Sequence, residues 1–167
     1  MFVADTSVLS SFAAARGLDL LFDVLGVEAL FMPSAVQREV QVGLERGAEH
    51  LQAIVELVKA GRIRVLTFEQ TDSECVASLP SGFGAGEREA VALCQRYNAT
   101  VLCNDRLVRR YCSQHNIPCL DLARLLRLLW LKGLTTKVKV KTMIVRMEKA
   151  EHLVFKELDR VFAPAET

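Results

Sequence analysis

Four acidic residues stand next to apolar segments of this 167-residue sequence, where a parallel sheet would gather them. Asp5 ends the first strand-like segment, and Asp105 follows the fourth by two residues. Glu39 lies in the helix-like segment after the second strand, and Glu87 begins the helix-like segment before the fourth. Because ligands of open α/β folds bind at the carboxyl ends of the strands, we expect the four carboxylates to converge at one edge of the sheet.

Such a cluster opposes folding unless a positive charge neutralises it, since like charges raise one another's pKa values. A hard divalent cation would do so. Ligation by oxygen alone favours Mg²⁺ or Mn²⁺ over zinc, and the three histidines, His50, His115 and His152, show no ligand spacing. Ions of this kind support the hydrolysis of phosphodiesters. The acids thus predict a metal-dependent phosphotransfer or hydrolysis site, and by themselves they do not specify RNA.

The elements that would position these acids alternate between strand and helix, which is typical of a parallel sheet covered by helices. Ser7 is predicted to cap the first helix, and a turn-rich loop over residues 80–86 leads into the helix that begins near Glu87. Strands are predicted at residues 2–5, 28–32, 62–67, 100–103 and 118–120. Helices are predicted from residue 7 onwards and at residues 35–45, 50–60, 71–79, 105–115, 121–130 and 136–162.

Composition sets wider limits. A chain of 167 residues with 51% hydrophobic content is expected to form one compact domain. The net charge is only +1, yet residues 106–146 hold ten Lys or Arg residues and a single acid, Asp121. This basic run indicates either solvated helix faces or a phosphate-binding surface.

The five cysteines and the N-terminal segment indicate the compartment. The cysteines are odd in number and contain no CxxC pair, so we expect reduced thiols. The N-terminal segment has an acid at position 5 and does not resemble a signal peptide. The most apolar stretch, residues 120–131, is broken by three charged residues, so no membrane span is expected. The prediction is a soluble, cytoplasmic protein.

Four motifs together resemble one family: VADTSVL, PSAVQREV, GAGEREAVALC and VLCNDRLVRR, in this order along residues 2–132. The chain resembles the PIN-domain ribonucleases, especially the VapC-like toxins of type II toxin–antitoxin pairs and their prokaryotic relatives. The resemblance implies a three-layer α/β/α domain with a central parallel sheet of about five strands and extra C-terminal helices. It also implies Mg²⁺- or Mn²⁺-dependent endoribonuclease activity, frequent homodimers and, in the toxin branch, an antitoxin partner.

The same resemblance suggests roles for individual residues. The family's catalytic acids correspond to Asp5, Glu39, Glu87 and Asp105. Of these, Asp5, Glu87 and Asp105 are the expected metal ligands. The residues expected to contact substrate are Thr6, Ser7, Asn104, Arg106 and Arg109.

The sequence departs from the family pattern in two places. Many relatives carry a second acid beside the Asp105 position, where this chain has Asn104, and Asp121 is the next acid that could complete the site. The resemblance also ends near residue 132, and residues 133–167 extend beyond it. Residues 1–132 are therefore predicted to form the nuclease domain, and residues 133–167 a helical extension packed on it or on a dimer partner.

Simpler interpretations compete with these assignments. Asp5 and Asp105 could merely cap helices, Glu39 could be a surface residue, and Glu89 competes with Glu87 for the site. An inactive PIN fold that binds RNA or protein is the main alternative function. A phosphatase of the haloacid dehalogenase type is disfavoured because it needs a second Asp at position 7, where Ser7 stands. A dinucleotide-binding fold is disfavoured because no GxGxxG follows the first strand.

Overall fold

A five-stranded sheet lies at the centre of the computed structural model, which describes residues 1–164 apart from the side chain of Thr71. Its strand order is β3-β2-β1-β4-β5, and all four pairings are parallel. The strands are β1 (Phe2–Ala4), β2 (Leu30–Pro33), β3 (Ile63–Leu66), β4 (Thr100–Leu102) and β5 (Cys119–Leu120). The order places β1 and β4, which precede Asp5 and Asp105, side by side.

Helices connect the strands and follow the last one. In chain order they are α1 (Thr6–Ala14), α2 (Leu18–Leu25), α3 (Ser34–Glu45), α4 (Gln52–Lys59), which a 3₁₀ turn (Glu49–Leu51) precedes, α5 (Gln70–Ser78), α6 (Ala85–Tyr97), α7 (Arg106–Gln114), α8 (Leu122–Leu131), α9 (Lys137–Glu151) and α10 (Leu158–Phe162). None of the helices in the described part of the chain is long and apolar enough to cross a membrane.

The helices form two layers because successive strand side chains point to opposite faces of the sheet. Val3 and Val101 point into a core with α5, α6 and α7. Ala4 and Leu102, the next residues along, point into a larger core with α1 to α4 and α8 to α10. The fold is thus a three-layer α/β/α domain with a parallel sheet, which confirms the predicted fold class.

The C-terminal helices share the larger core with the rest of the chain. Val140 and Met147 of α9 are fully buried among residues of α1 and α8, and Val161 of α10 is buried there too. The indole Nε1 of Trp130 donates to the carbonyl of Val161 at 2.8 Å. In the described residues, the segment after residue 132 therefore packs on its own chain.

Three local predictions need correction. Residues 136–162 do not form one helix, because α9 ends at His152, whose left-handed backbone (φ 51°) stops the helix before α10 begins. Helix α2 was not predicted, although its apolar residues recur at helical spacing and its two acids, Asp19 and Asp23, fall outside that face. Asp5, not Ser7, caps α1, which starts at Thr6.

We predict that Met147→Ala lowers the free energy of unfolding by about 2–5 kcal/mol, because it leaves a cavity in the shared core. Val145 lies on the same helix but is 61% exposed, so Val145→Ala should change stability by less than about 0.5 kcal/mol. Urea denaturation followed by circular dichroism measures both. A separate, earlier transition for the C-terminal helices in Met147→Ala would show that they do not share one cooperative core.

Candidate metal and catalytic site

Asp5 is the most buried acid of the predicted site, with 3% of its surface exposed. Its Oδ1 accepts hydrogen bonds from Ser7 Oγ (2.7 Å) and from the backbone N–H of Val8 (3.2 Å), which caps α1. Its Oδ2 accepts from the thiol of Cys103 at 2.8 Å. Burial raises the pKa of Asp5, and the hydrogen bonds from Cys103 and Ser7 offset part of that rise. One oxygen of this carboxylate therefore caps α1, while the other contacts Cys103 at the end of β4.

Glu39 is half-buried on α3, and both of its carboxylate oxygens have partners. Oε2 accepts from the hydroxyl of Thr6, and Oε1 accepts from the backbone N–H of Gly86 at 3.0 Å. A Cβ at position 86 would lie 2.9 Å from both carboxylate oxygens and from Val36 Cγ2. Only glycine lets α6 approach α3 this closely, and that approach holds Glu39 in the cluster.

Glu87 lies in the first turn of α6, where its Oε2 accepts from the backbone N–H of Gly84 at 2.7 Å. Burial raises the pKa of Glu87, and the negative charges of Asp105, Asp5 and Glu39 raise it further. All four predicted acids are therefore electrostatically close. Glu89 is directed elsewhere: it caps α3 by accepting from the backbone N–H of Ala35 at 2.8 Å.

Asp105 caps α7, with Oδ1 accepting from the backbone N–H groups of Leu107 (2.7 Å) and Val108 (3.0 Å). Its half-buried side chain stands at the carboxyl end of β4, beside the end of β1. The predicted juxtaposition of Asp5 and Asp105 is thus present in the structure.

The polar neighbours of the acids tie the two strand ends together. Ser7 Oγ donates to Asp5 and accepts from the backbone N–H of Asn104 at 3.1 Å. The side-chain Oδ1 of Asn104 is buried and has no hydrogen-bond partner among the described residues. Arg106 is exposed at the start of α7. Thr6, Ser7 and Asn104, which were predicted to contact substrate, thus all lie beside the acidic residues.

Cys103 lies beside the acids, although the family resemblance did not single it out. A carboxylate oxygen of Asp5, a carboxylate oxygen of Glu87 and the sulfur of Cys103 lie within 4.8 Å of one another, so these three atoms could hold one metal ion. Burial raises the pKa of the Cys103 thiol, and the neighbouring Asp5 raises it further. The sequence carries one signal, a thiol at the end of a predicted strand next to Asn104 and Asp105, but that signal alone predicts no more than a reduced cysteine.

An open cleft of about 360 Å³ gives solvent access to the acids. It is lined by Asp5, Thr6, Ser7, Ser10, Glu39, Gly84, Glu87 and Glu151. Glu151 ends α9, and its Oε2 accepts from Ser11 Oγ at 2.8 Å. It brings a fourth carboxylate to the cleft, from a segment beyond the motifs in which the sequence indicated no site residue.

Asp121 has partners other than the acidic cluster. Its Oδ2 accepts from Arg109 at 2.5 Å and from Arg160 at 2.7 Å, and its Oδ1 caps α8 through the backbone N–H of Arg124. Burial alone would raise the pKa of Asp121, but the hydrogen bonds from Arg124, Arg160 and Arg109 lower it below its usual value. Two guanidinium groups already neutralise this carboxylate. Its contacts therefore do not support the expectation that Asp121 completes the metal site.

Arg109, predicted to contact substrate, belongs to the same ion-pair network. Besides Asp121, its guanidinium contacts Glu157 Oε1 at 3.3 Å. It also borders a second cleft of about 310 Å³, next to Asn104 and Glu151. Its structural partners thus account for the charge of Arg109 without a phosphate.

Comparison with known proteins agrees with this geometry. A family model described as a PIN domain matches residues 1–161. The chain belongs to the PIN-domain family. PIN domains are generally metal-dependent nucleases, and the acidic cleft is the part of this PIN domain in which a divalent ion would fit. The match runs past residue 132, where the motifs ended, and so includes α9 and Glu151. A search of curated proteins found no match to the chain.

We predict that Asp121→Asn destabilises the PIN domain by about 2 kcal/mol, the size expected for lost hydrogen bonds between charged groups. Asparagine can still cap α8, so the change isolates the pairing with Arg109 and Arg160. Binding of Mn²⁺, measured by isothermal titration calorimetry, should be unchanged. Asp159→Asn, at an exposed acid on α10, is the control for stability. A large loss of Mn²⁺ affinity with unchanged stability would return Asp121 to the metal site.

Proposed function

We propose that this PIN domain is a metal-dependent endoribonuclease that hydrolyses RNA phosphodiester bonds. The observation that supports the proposal most strongly is that Asp5, Glu39 and Glu87 line one cleft of a PIN domain, with Asp105 at the neighbouring strand end. Gathering several carboxylates in one place is costly unless a cation neutralises them, so their convergence favours a functional role. The RNA substrate is inferred from the family resemblance.

The residues of the cleft are suited to hold Mg²⁺ or Mn²⁺. Asp5 and Glu87 supply carboxylate oxygens at ligand spacing, and the charge of Asp105 acts on the same place. Carboxylates are the ligands that these hard ions prefer. When bound, such an ion supplies Lewis-acid stabilisation of the negative charge that develops on a phosphodiester during hydrolysis.

Hydrogen bonds within the protein hold two of the carboxylates in fixed orientations. Hydrogen bonds from Ser7 and Val8 hold Asp5, and those from Thr6 and Gly86 hold Glu39. These carboxylates are therefore already oriented before substrate arrives, which reduces the cost of reorganisation. We infer that the exposed Arg106, next to Asp105 at the start of α7, contacts a phosphate of the RNA backbone.

Substrate form and partners are part of the proposal. The cleft is open and needs an accessible backbone, which favours single-stranded or looped RNA over a duplex. The resemblance to VapC-like toxins supports a toxin role, with an antitoxin partner and a homodimer. These assignments rest on the resemblance alone.

The test is cleavage of a mixed RNA pool by the purified protein with Mn²⁺, with Mg²⁺ and with EDTA. We expect metal-dependent cleavage that Asp5→Asn lowers by about 100-fold or more, because it removes a charged ligand. Asp23→Asn, at an exposed acid on α2, is the matched control and should cut like the wild type. Wild-type protein that binds the ion but does not cut would favour the inactive binding module.

Thermal unfolding of Asp5→Asn separates lost function from misfolding. Because folding raises the pKa of Asp5, its ionised form destabilises the metal-free fold, and this penalty grows as the pH rises through the raised value. At neutral pH the metal-free variant should therefore melt no lower than the wild type. Mn²⁺ at about 100 times its Kd should raise the wild-type Tm by roughly 5–10 °C and leave the variant's Tm unchanged. If the metal-free variant had a lower Tm than the metal-free wild type, the ionised carboxylate of Asp5 would not be destabilising, and this explanation would be contradicted.

A further inference from the structure

The thiol of Cys103 faces polar groups, unlike an ordinary buried cysteine. The residue is fully buried at the end of β4, and its Sγ donates to Asp5 Oδ2 at 2.8 Å. The same sulfur accepts from the backbone N–H of Asp105 at 3.4 Å. The sulfur atom therefore lies between two acidic residues of the site.

The spacing of the donor atoms suits one metal ion. Metal–sulfur and metal–oxygen bonds are about 2.3 Å and 2.0–2.2 Å long, so donor atoms on a shared tetrahedral ion lie about 3.4–3.6 Å apart. The carboxylate oxygens of Asp5 and Glu87 and the sulfur of Cys103 all lie within 4.8 Å of one another. Since 4.8 Å is the upper limit of these separations, shifts of at most about 0.8 Å would bring all three into bonding distance.

We propose that Cys103 Sγ is a third ligand beside Asp5 and Glu87, so that the site prefers a softer divalent ion, Co²⁺, Fe²⁺ or Zn²⁺, over Mg²⁺. The inference rests on the metal site of the proposed function and specifies its ion. Thiolate ligands favour such ions, whereas carboxylates alone suit Mg²⁺. On binding, the S–H bond is replaced by a sulfur–metal bond and the proton leaves to solvent.

Titration of the metal-free protein with Co²⁺, followed by absorption spectroscopy, tests the proposal without any activity assay. Visible d–d bands report that the ion binds, and a near-ultraviolet sulfur-to-cobalt charge-transfer band reports a thiolate ligand. We expect both signals in the wild type and only the d–d bands in Cys103→Ser, whose hydroxyl can still donate to Asp5. Competition with Mg²⁺ should show a preference for Co²⁺ that falls by roughly 10- to 100-fold in this variant.

Two further variants make the result specific. Cys112→Ser removes an equally buried thiol on α7, and it should keep the charge-transfer band. Cys103→Ala removes the donor altogether and serves if the serine variant folds poorly, as judged by circular dichroism.

The outcomes separate this inference from the proposed function. Wild-type d–d bands without a charge-transfer band would overturn the Cys103 ligand and leave the metal site intact. A charge-transfer band that persists in Cys103→Ser but disappears in Cys112→Ser would also overturn it. No Co²⁺ signal at all would overturn both, because the ion would not bind.

Discussion

Repulsion among the carboxylates at one end of the sheet is the constraint around which this PIN domain is arranged. Burial raises the pKa of Glu87, and the negative charges of Asp105, Asp5 and Glu39 raise it further. The fold opposes this repulsion with backbone dipoles. Helices α1 and α6 begin at the cleft and α7 begins just after β4, with Asp5, Gly84 and Asp105 as their N-cap residues, and their N-termini carry partial positive charge. The negative charge that the helix N-termini do not neutralise can be neutralised by a bound cation.

Packing far from the cleft keeps the acids in place. The parallel sheet sets β1 beside β4, and the two apolar cores fix the helices that follow them. Gly86 lets α6 approach α3, so that Glu39 reaches a backbone N–H of the facing helix. Helix α9 packs on α1 and carries Glu151 to the rim of the cleft. The C-terminal helices thus contribute to the site as well as to stability.

The sequence predicts most strongly those parts that depend on local pattern and strand order. Asp5 and Asp105 could be placed because strand ends of a parallel sheet share one edge. Glu39 could not, since a charged residue on an amphipathic helix is usually just exposed, and only the family resemblance singled it out. Its contacts with Thr6 and Gly86 come from distant parts of the chain.

Other features needed the tertiary structure. Asp121 could be predicted as a further metal ligand because the sequence does not show that it pairs with Arg160, which is 39 residues away. Cys103 could be predicted only as a reduced thiol, because the sequence does not show that its sulfur contacts the carboxylate of Asp5. Glu151 lies outside the motifs, and its position in the sequence does not indicate that it returns to the cleft. Each of these features depends on contacts between residues that are far apart in the chain, and a single sequence does not show such contacts.

A crystal structure of the protein grown with Mn²⁺, with anomalous diffraction recorded at the manganese edge, tests the central claim most directly. The account predicts an anomalous peak within bonding distance of carboxylate oxygens of Asp5 and Glu87, in the cleft that Glu39 and Glu151 border. An empty cleft at saturating Mn²⁺, or a peak confined to another part of the surface, would contradict it.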